Sequence, residues 1–290
     1  MTETPLEHFL MPVTSLDTFV ERVQGVNPAA DRAELVAAWR KAQHTMNALA
    51  GSEDGCADAS AVLPLPPSMA AATSALAGNA SMAQVFDTVP VAFGLVEFDA
   101  LMASRPALWG DRLSRCEALV QGADDADERL AACCLNPALG QPELKSHWAG
   151  STWTVVTDDP QASLRKEPVA GGVHAAPAEA QWRVVSPPPV VHVARHGGRL
   201  LLVDGHHRVR MLRNLGIGFV PCLISACDDL DDVLRVAPHL AALDVARWFD
   251  LARPPMLRDH DRPSLVHTHR ACPPRRLMQL RCEAQWSSLV

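Results

Sequence analysis

Apolar positions recur at three- and four-residue spacing through DRAELVAAWRKAQHTMNALA, ending at Gly51, which predicts a helix with Asn27 as its cap and Pro28 as its first residue. Residues 51–80 are rich in Ala, Ser, Pro and Gly and predict a polar linker with at most one short helix. VAFGLVEF, from Val91, reads as a strand, after which Asp99 is placed to cap a short helix through Leu101 and Met102. One or two helices are expected in 111–135. Residues 141–181 mix Gly, Pro, Asp and Ala around one strand-like piece at 152–156. They read as a long, partly irregular loop, a feature that in compact domains is often functional.

The pattern sharpens beyond residue 181. A short strand is expected at 182–185, then two β-rich runs at 189–195 and 199–203 separated by His196, Gly197 and Gly198, with glycine supplying the positive φ of a tight hairpin. DGHHRVRMLRNLG follows as a helix opened by Asp204 and Gly205 and closed by Gly216, then a strand at 219–224. DDLDDVLRV and HLAALDVARWFDLA predict further helices, and RRLMQLRCEA a final strand. The expected class is α/β (α+β). It divides into a helical region at 1–90, an α/β core at 91–252 and a basic segment with a final strand at 253–290.

Composition narrows the function classes. The chain of 290 residues has 26 Lys and Arg against 33 Asp and Glu, a net charge of −7, which argues against a surface coated for nucleic acid, since that affinity comes from cations displacing counterions. Tyr is absent and aromatics make up 5%, little material for a base-stacking platform. No run approaches the roughly 20 apolar residues of a membrane span. The start lacks a basic segment followed by a long apolar one, so a secretory signal is not expected and a cytoplasmic location is. The eight cysteines are expected to be reduced, mostly buried thiols.

The chemistry converges on VDGHHRVRMLRNLG. A strand that turns at Asp-Gly directly into a helix leaves the first helical amides unpaired at the end of the sheet, a place that attracts anions. Gly205 removes a Cβ from the approach, and His206, His207 and Arg208 add donors. Arg208, Leu212 and Leu215 share one helical stripe, with Val209 beside it, and His206, Arg210 and Arg213 share another. Arg208 thus heads the core-facing stripe, where a guanidinium needs a partner: either Asp204 or a bound phosphate. The bland alternative is a helix capped by Asp204, with Arg208 bridged to it and the histidines at the surface or in packing.

The stretch PVVHVARHGGRLLLVDGHHRVRMLRNLGIGFVPCLI, within 182–225, resembles the core of the ParB/sulfiredoxin-like superfamily, known from bacterial partition proteins. It is most similar to the Asp-Gly-His-x-Arg signature of the free serine kinase branch. The resemblance implies a small mixed sheet and a nucleotide, ATP or ADP, with its phosphates held at Gly205, His206, His207 and Arg208. It also implies Mg²⁺ or the acceptor hydroxyl at Asp204, and an upstream carboxylate as base. Glu167, 37 residues before Asp204, is the candidate base, with Glu143 and Glu179 as competitors. Asp204, His206, His207 and Glu167 are the expected catalytic residues of a phosphotransferase or nucleotide hydrolase acting on an unidentified small molecule. Arg208→Ala is expected to abolish nucleotide binding and leave folding largely intact. The alternative is a non-catalytic regulatory or nucleic-acid-binding module. His206 stands where sulfiredoxins carry a catalytic Cys, which disfavours their chemistry, and partition proteins carry Gly-Glu-Arg-Arg in place of Gly205 to Arg208.

Two weaker signals remain. Segment 253–283 has seven arginines against three acidic residues, and either a solvated charged face or a phosphate-rich partner such as nucleic acid would account for it. His267, His269 and Cys272 form an HxHxxC cluster without the spacing of a standard zinc finger, and Cys222 with Cys227 borders a core strand, so no structural metal is expected.

Overall fold

The computed structural model describes residues 5–58, 61–79, 82, 86, 89–110, 112, 113, 116, 117, 125–136, 144–157, 162–167, 181–185, 188–242, 244–271 and 276–281. The chain begins with strand β1 (Leu6–Leu10) and helices α1 (Leu16–Val26) and α2 (Arg32–Ser52). Asp31, not Asn27, caps α2: its carboxylate accepts the Ala33 amide at 2.8 Å, satisfying a donor the helix itself leaves unpaired. Asn27 instead closes α1. Next come β2 (Val62–Leu63), α3 (Ala70–Ala77), β3 (Val91–Glu97), β4 (Leu101–Ala103), β5 (Ala107–Trp109) and α4 (Ala126–Cys134). Leu101 and Met102 were expected in a helix; they are fully buried strand residues, and only a single 3₁₀ turn at Phe98–Ala100 precedes them.

The stretch expected to be mostly loop contains β6 (Leu144–Ala149), β7 (Thr152–Thr157) and β8 (Ser163–Glu167), followed by β9 (Gln181–Val185). Then follow β10 (His192–His196), β11 (Arg199–Asp204), α5 (His206–Asn214), β12 (Phe219–Ala226), α6 (Leu230–Val236) and α7 (Val245–Asp250). β13 (Val266–Arg270) and β14 (Arg276–Arg281) complete the described chain.

The class is α+β with mixed sheets. The central sheet has six strands in the order β2-β3-β12-β10-β11-β4. β12 runs parallel to β10, and β4 parallel to β11, while the other neighbours are antiparallel. The β10–β11 hairpin turns at Gly197 and Gly198, whose φ of 58° and 82° only glycine adopts without strain. β11 and β12 lie inside the sheet, so every residue between their end positions is buried, and their apolar runs lack the alternation of a half-exposed strand.

The first 90 residues do not stand apart. β1 lies between β13 and β5 in a second sheet, and β2 edges the central one. Phe9 and Leu10 of β1 pack with Phe19, Val20, Val23 and Leu35 of α1 and α2 and with Leu265 in a second core. β14, β7 and β6 form a third, antiparallel sheet, and β8 pairs with β9 alone. Among the described residues no helix is long and apolar enough to cross a membrane. The six described cysteines are free thiols, four of them buried; Cys272 and Cys282 lie outside the described residues.

Candidate functional site

β4 and β11 run parallel and end side by side, so Ser104 and Arg105 emerge next to Asp204 and Gly205. A crevice beyond the carboxyl ends of parallel strands is where α/β sheets generally place ligands. Gly205 has a φ of 92° and precedes α5, whose first helical bond runs from the Val209 amide to the Gly205 carbonyl at 2.9 Å. No side chain caps this end. Asp204 does not cap the helix amides; its Oδ1 takes Arg105 at 3.2 Å and its Oδ2 takes Arg208 of α5 at 3.5 Å.

Gly205 is buried and has a packing role. A Cβ there would lie 2.8 Å from Val191 Cγ2 and 3.0 Å from Val191 Cα, so side-chain-free backbone is needed for the turn to sit on β10's approach. Gly205→Ala combines that clash with left-handed strain. It is expected to cost about 2–3 kcal/mol, read as a lower urea midpoint with unchanged slope.

The donors expected to meet phosphate are turned inward. Arg208 is 8% exposed and donates to the carbonyls of Pro189 and of Cys133, the latter at 3.3 Å. Its guanidinium fastens the end of α4 and the entry to β10, so Arg208→Ala is expected to unsettle the fold, contrary to the reading from sequence alone. His206 is 1% exposed, with Nε2 at 3.1 Å from Ser104 Oγ. The Ser104 hydroxyl hydrogen already goes to the Leu202 carbonyl, so His206 donates from Nε2 and keeps Nδ1 as a bare acceptor, buried without a hydrogen-bond partner. His207 Nε2 accepts the Trp109 amide of β5 at 2.9 Å. Burial first, and then Arg105, hold both imidazoles well below the ordinary histidine range. At neutral pH they are uncharged and supply no cation to an anion.

The rest of α5 is anchored in the same manner. Arg210 and Arg213 reach Asp261, Arg213 also reaches Asp99 at 3.2 Å, and its guanidinium lies 4.7 Å from the centre of the Phe98 ring. Val209 and Leu212 enter the core as the spacing predicts, whereas Leu215, past the last helical residue, is half exposed. His260 donates from Nε2 to the Arg105 carbonyl at 3.2 Å, fixing the backbone of that arginine. On the other side of Asp204, His192 Nε2 lies 2.9 Å from Ser225 Oγ. Ser104, Arg105, His192 and His260 escaped the sequence reading; the available signal was a polar pair directly after a short apolar run at 101–103.

The expected carboxylate base is not brought to the turn by any described pairing. Glu167 ends β8 opposite Gln181 in the separate two-stranded ribbon, and Glu143 and Glu179 lie outside the described residues. Asp204 does not fit Mg²⁺ in this arrangement, since both of its oxygens hold guanidinium groups. Among the described residues no group of three His, Cys, Asp or Glu is placed to hold a metal. The His267 and His269 rings lie 5.5 Å apart and tilted by 37°, and His269 Nε2 lies 3.0 Å from Glu7, so that pair belongs to the β1–β13 seam. A groove of about 450 Å³ between α3 and α4 is lined by Ala71, Ala75, Ala131 and Leu135, with Asp125 and Glu128 also in its wall. None of the turn residues lines it.

Compared with protein-family models, curated proteins and solved structures, the chain matches none of them.

Proposed function

We propose that the chain is a nucleotide-binding protein of ParB/sulfiredoxin-like kind, with the phosphates of ATP or ADP held at the amino end of α5. The observation that carries this reading is an uncapped helix start at the carboxyl ends of two parallel strands, with Arg105 beside it. Amides and the positive end of the helix dipole receive phosphate oxygens there. Arg105, positioned by Asp204 and by His260, takes the cationic role that the sequence reading gave to His206, His207 and Arg208.

Binding without chemistry is the better-supported form of this function. Asp204 is committed to two arginines, and Glu167 sits in a separate ribbon, so among the described residues the turn has no carboxylate set to take a proton. The protein is then a nucleotide-responsive regulatory module rather than a phosphotransferase.

A thermal-shift panel of ATP, ADP, GTP and CTP, with and without Mg²⁺, tests the proposal. A nucleotide at a hundred times its Kd stabilises the fold by about 2.7 kcal/mol, a rise of roughly 5–10 °C for a chain of this size. Arg105→Gln is expected to remove the rise while keeping the unliganded midpoint within about 3 °C. Absence of a rise with every nucleotide, or a full rise in Arg105→Gln, overturns the reading. Phosphate release that Asp204→Asn or Glu167→Gln abolishes would restore the phosphotransferase.

A further inference from the structure

α2 has its buried positions at Leu35 and Ala42. On the opposite side Ala37, Lys41, His44, Ala48 and Gly51 follow one another at helical spacing, with Arg40 beside Lys41, and all six are exposed. Arg32, at the start of the helix, pairs with Asp17 at 3.5 Å. Arg40 and Lys41 have no carboxylate within ion-pair distance among the described residues. Glu34 is the one acidic residue of α2, and it stands in the first turn, where the helix dipole favours it. In a chain with seven more acidic than basic residues, the outer face of α2 is a cationic stripe set among small side chains.

The groove between α3 and α4 has the opposite charge. Ala75 of α3 and Ala131, Ala132 and Leu135 on the α4 side give it a small, apolar lining, and its volume is about 450 Å³. Asp125 and Glu128 stand exposed in its wall. One oxygen of Asp125 accepts the Glu128 amide at 3.3 Å, and the Glu128 carboxylate has no partner among the described residues. Arg129 does not neutralise them, since its Nε donates to the backbone carbonyl of Asp125 at 3.4 Å. The groove is also held in shape. Asp127 Oδ2 accepts the Ser68 hydroxyl at 2.7 Å, which ties the entry of α3 to the start of α4, and the fully buried Leu76 anchors α3 from beneath.

We propose that α2 of one copy of this chain docks in the α3–α4 groove of a second copy. Alanines on both sides let the helix axes approach to about 8 Å, the close end of the usual range. The spacing of charge and apolar surface agrees. Lys41 and Ala48 are seven residues apart on α2, as are Glu128 and Leu135 on the α4 side, about 10 Å in each case. A parallel arrangement therefore sets Lys41 against Glu128 and Ala48 over Leu135. Charge complementarity selects a second copy as the occupant, because one chain has both the cationic stripe and its acidic counterpart, and leaves both exposed. Reciprocal docking closes a two-fold dimer in which the contact is made twice. No residue of the Asp204 turn belongs to either surface, so this inference stands apart from the nucleotide reading.

Sedimentation equilibrium of the full-length protein across concentration and salt series tests the proposal. The expected result is a reversible dimer that weakens as salt screens the contact. The double variant Arg40→Glu with Lys41→Glu, and separately Glu128→Lys, are each expected to weaken self-association about 100-fold or more, because like charges then face each other. An equimolar mixture of these two proteins is expected to associate about as strongly as the parent. In the mixture the reversed α2 of one meets the reversed groove of the other, and the two unaltered surfaces also meet. A particle larger than a dimer that both variants disperse supports the same contact made head to tail. If Glu128→Lys disturbs the start of α4, seen as lost helical circular dichroism, the α2 double variant decides, since both of its positions are exposed. A parent that stays monomeric up to about 100 μM, association unchanged in the α2 double variant, or a mixture of two folded variants that remains monomeric would each overturn the proposal.

Discussion

Asp259→Ala is expected to destabilise the protein by about 4 kcal/mol, the scale set by breaking a buried ion pair from one side, and to lower the melting midpoint by roughly 10 °C. Asp259 and Arg253 are both fully shielded in their side chains and joined by two hydrogen bonds, at 2.8 and 2.5 Å. Asp259 also accepts the Met256 amide at 2.9 Å. Removal of the carboxylate leaves a buried guanidinium with Glu53 as its remaining anion, and an orphaned amide. Glu53 is itself shared among Arg253, Arg258 and Arg262, so it cannot fully compensate. The effect extends to the candidate site, because the same 3₁₀ turn carries His260, which holds the Arg105 carbonyl, and Asp261, which holds Arg210 and Arg213 of α5. Asp259→Asn keeps the acceptor for Met256 and loses the charge, so about half the loss is expected to return. Midpoints of the two variants within a degree or so of the parent would show that the node is not holding the segment in place.

What could be read from the chain depended on how local the cause was. The turn into α5 was legible because an Asp-Gly step between an apolar run and an amphipathic one leaves few conformations, and the structure puts the positive φ at Gly205. The hairpin at Gly197 and Gly198 was legible for the same reason. The second sheet was not. β1 finds its partners at Ala107–Trp109 and at Val266–Arg270, and no periodicity within five residues announces a neighbour two hundred and sixty positions away. β4 has three residues, too few to show alternation, and so Arg105 was passed over although it lies beside Asp204.

The histidines show a different limit. Counted as polar, His206 falls on the stripe of Arg210 and Arg213; as neutral imidazoles His206 and His207 make one good hydrogen bond each and otherwise fill space like an aromatic ring. Arg208 was rightly placed at the head of the core stripe, and Asp204 is one of its partners. The two carbonyls that hold it come from other segments, at Cys133 and Pro189, which no spacing rule reaches. The side chains credited with the chemistry thus serve to build the turn.

Acidification from pH 7.5 to 5 is expected to lower the stability by at least about 4 kcal/mol, well before carboxylates titrate. Burial presses His192 down to about 4, against an opposing pull from Asp204, and presses His260 down to about 3, with Arg210 adding to the effect. His206 and His207 are driven down in the same direction by burial and then by Arg105. Each is neutral in the folded protein, while its unfolded counterpart takes up a proton near pH 6.5. Below that value the unfolded state binds more protons, so stability is whole above pH 6.5 and falls as pH drops towards each folded value. At pH 5 His192 and His260 each cost about 2 kcal/mol, and His206 and His207 act in the same direction. Glu53 does not confuse the window: burial raises its carboxyl, Arg262 and Arg253 outweigh this, and it settles at about 2. Its contribution is complete above pH 4.5 and lost only as pH falls towards 2. His260→Gln places an amide where Nε2 donates to Arg105 and removes one titrating group. Urea unfolding at pH 7.5 and 5 is expected to give this variant a loss smaller than the parent's by about 2 kcal/mol. Equal losses in the two proteins would mean that His260 is protonated in the folded state, and that the positioning of Arg105 at the turn does not depend on a neutral ring.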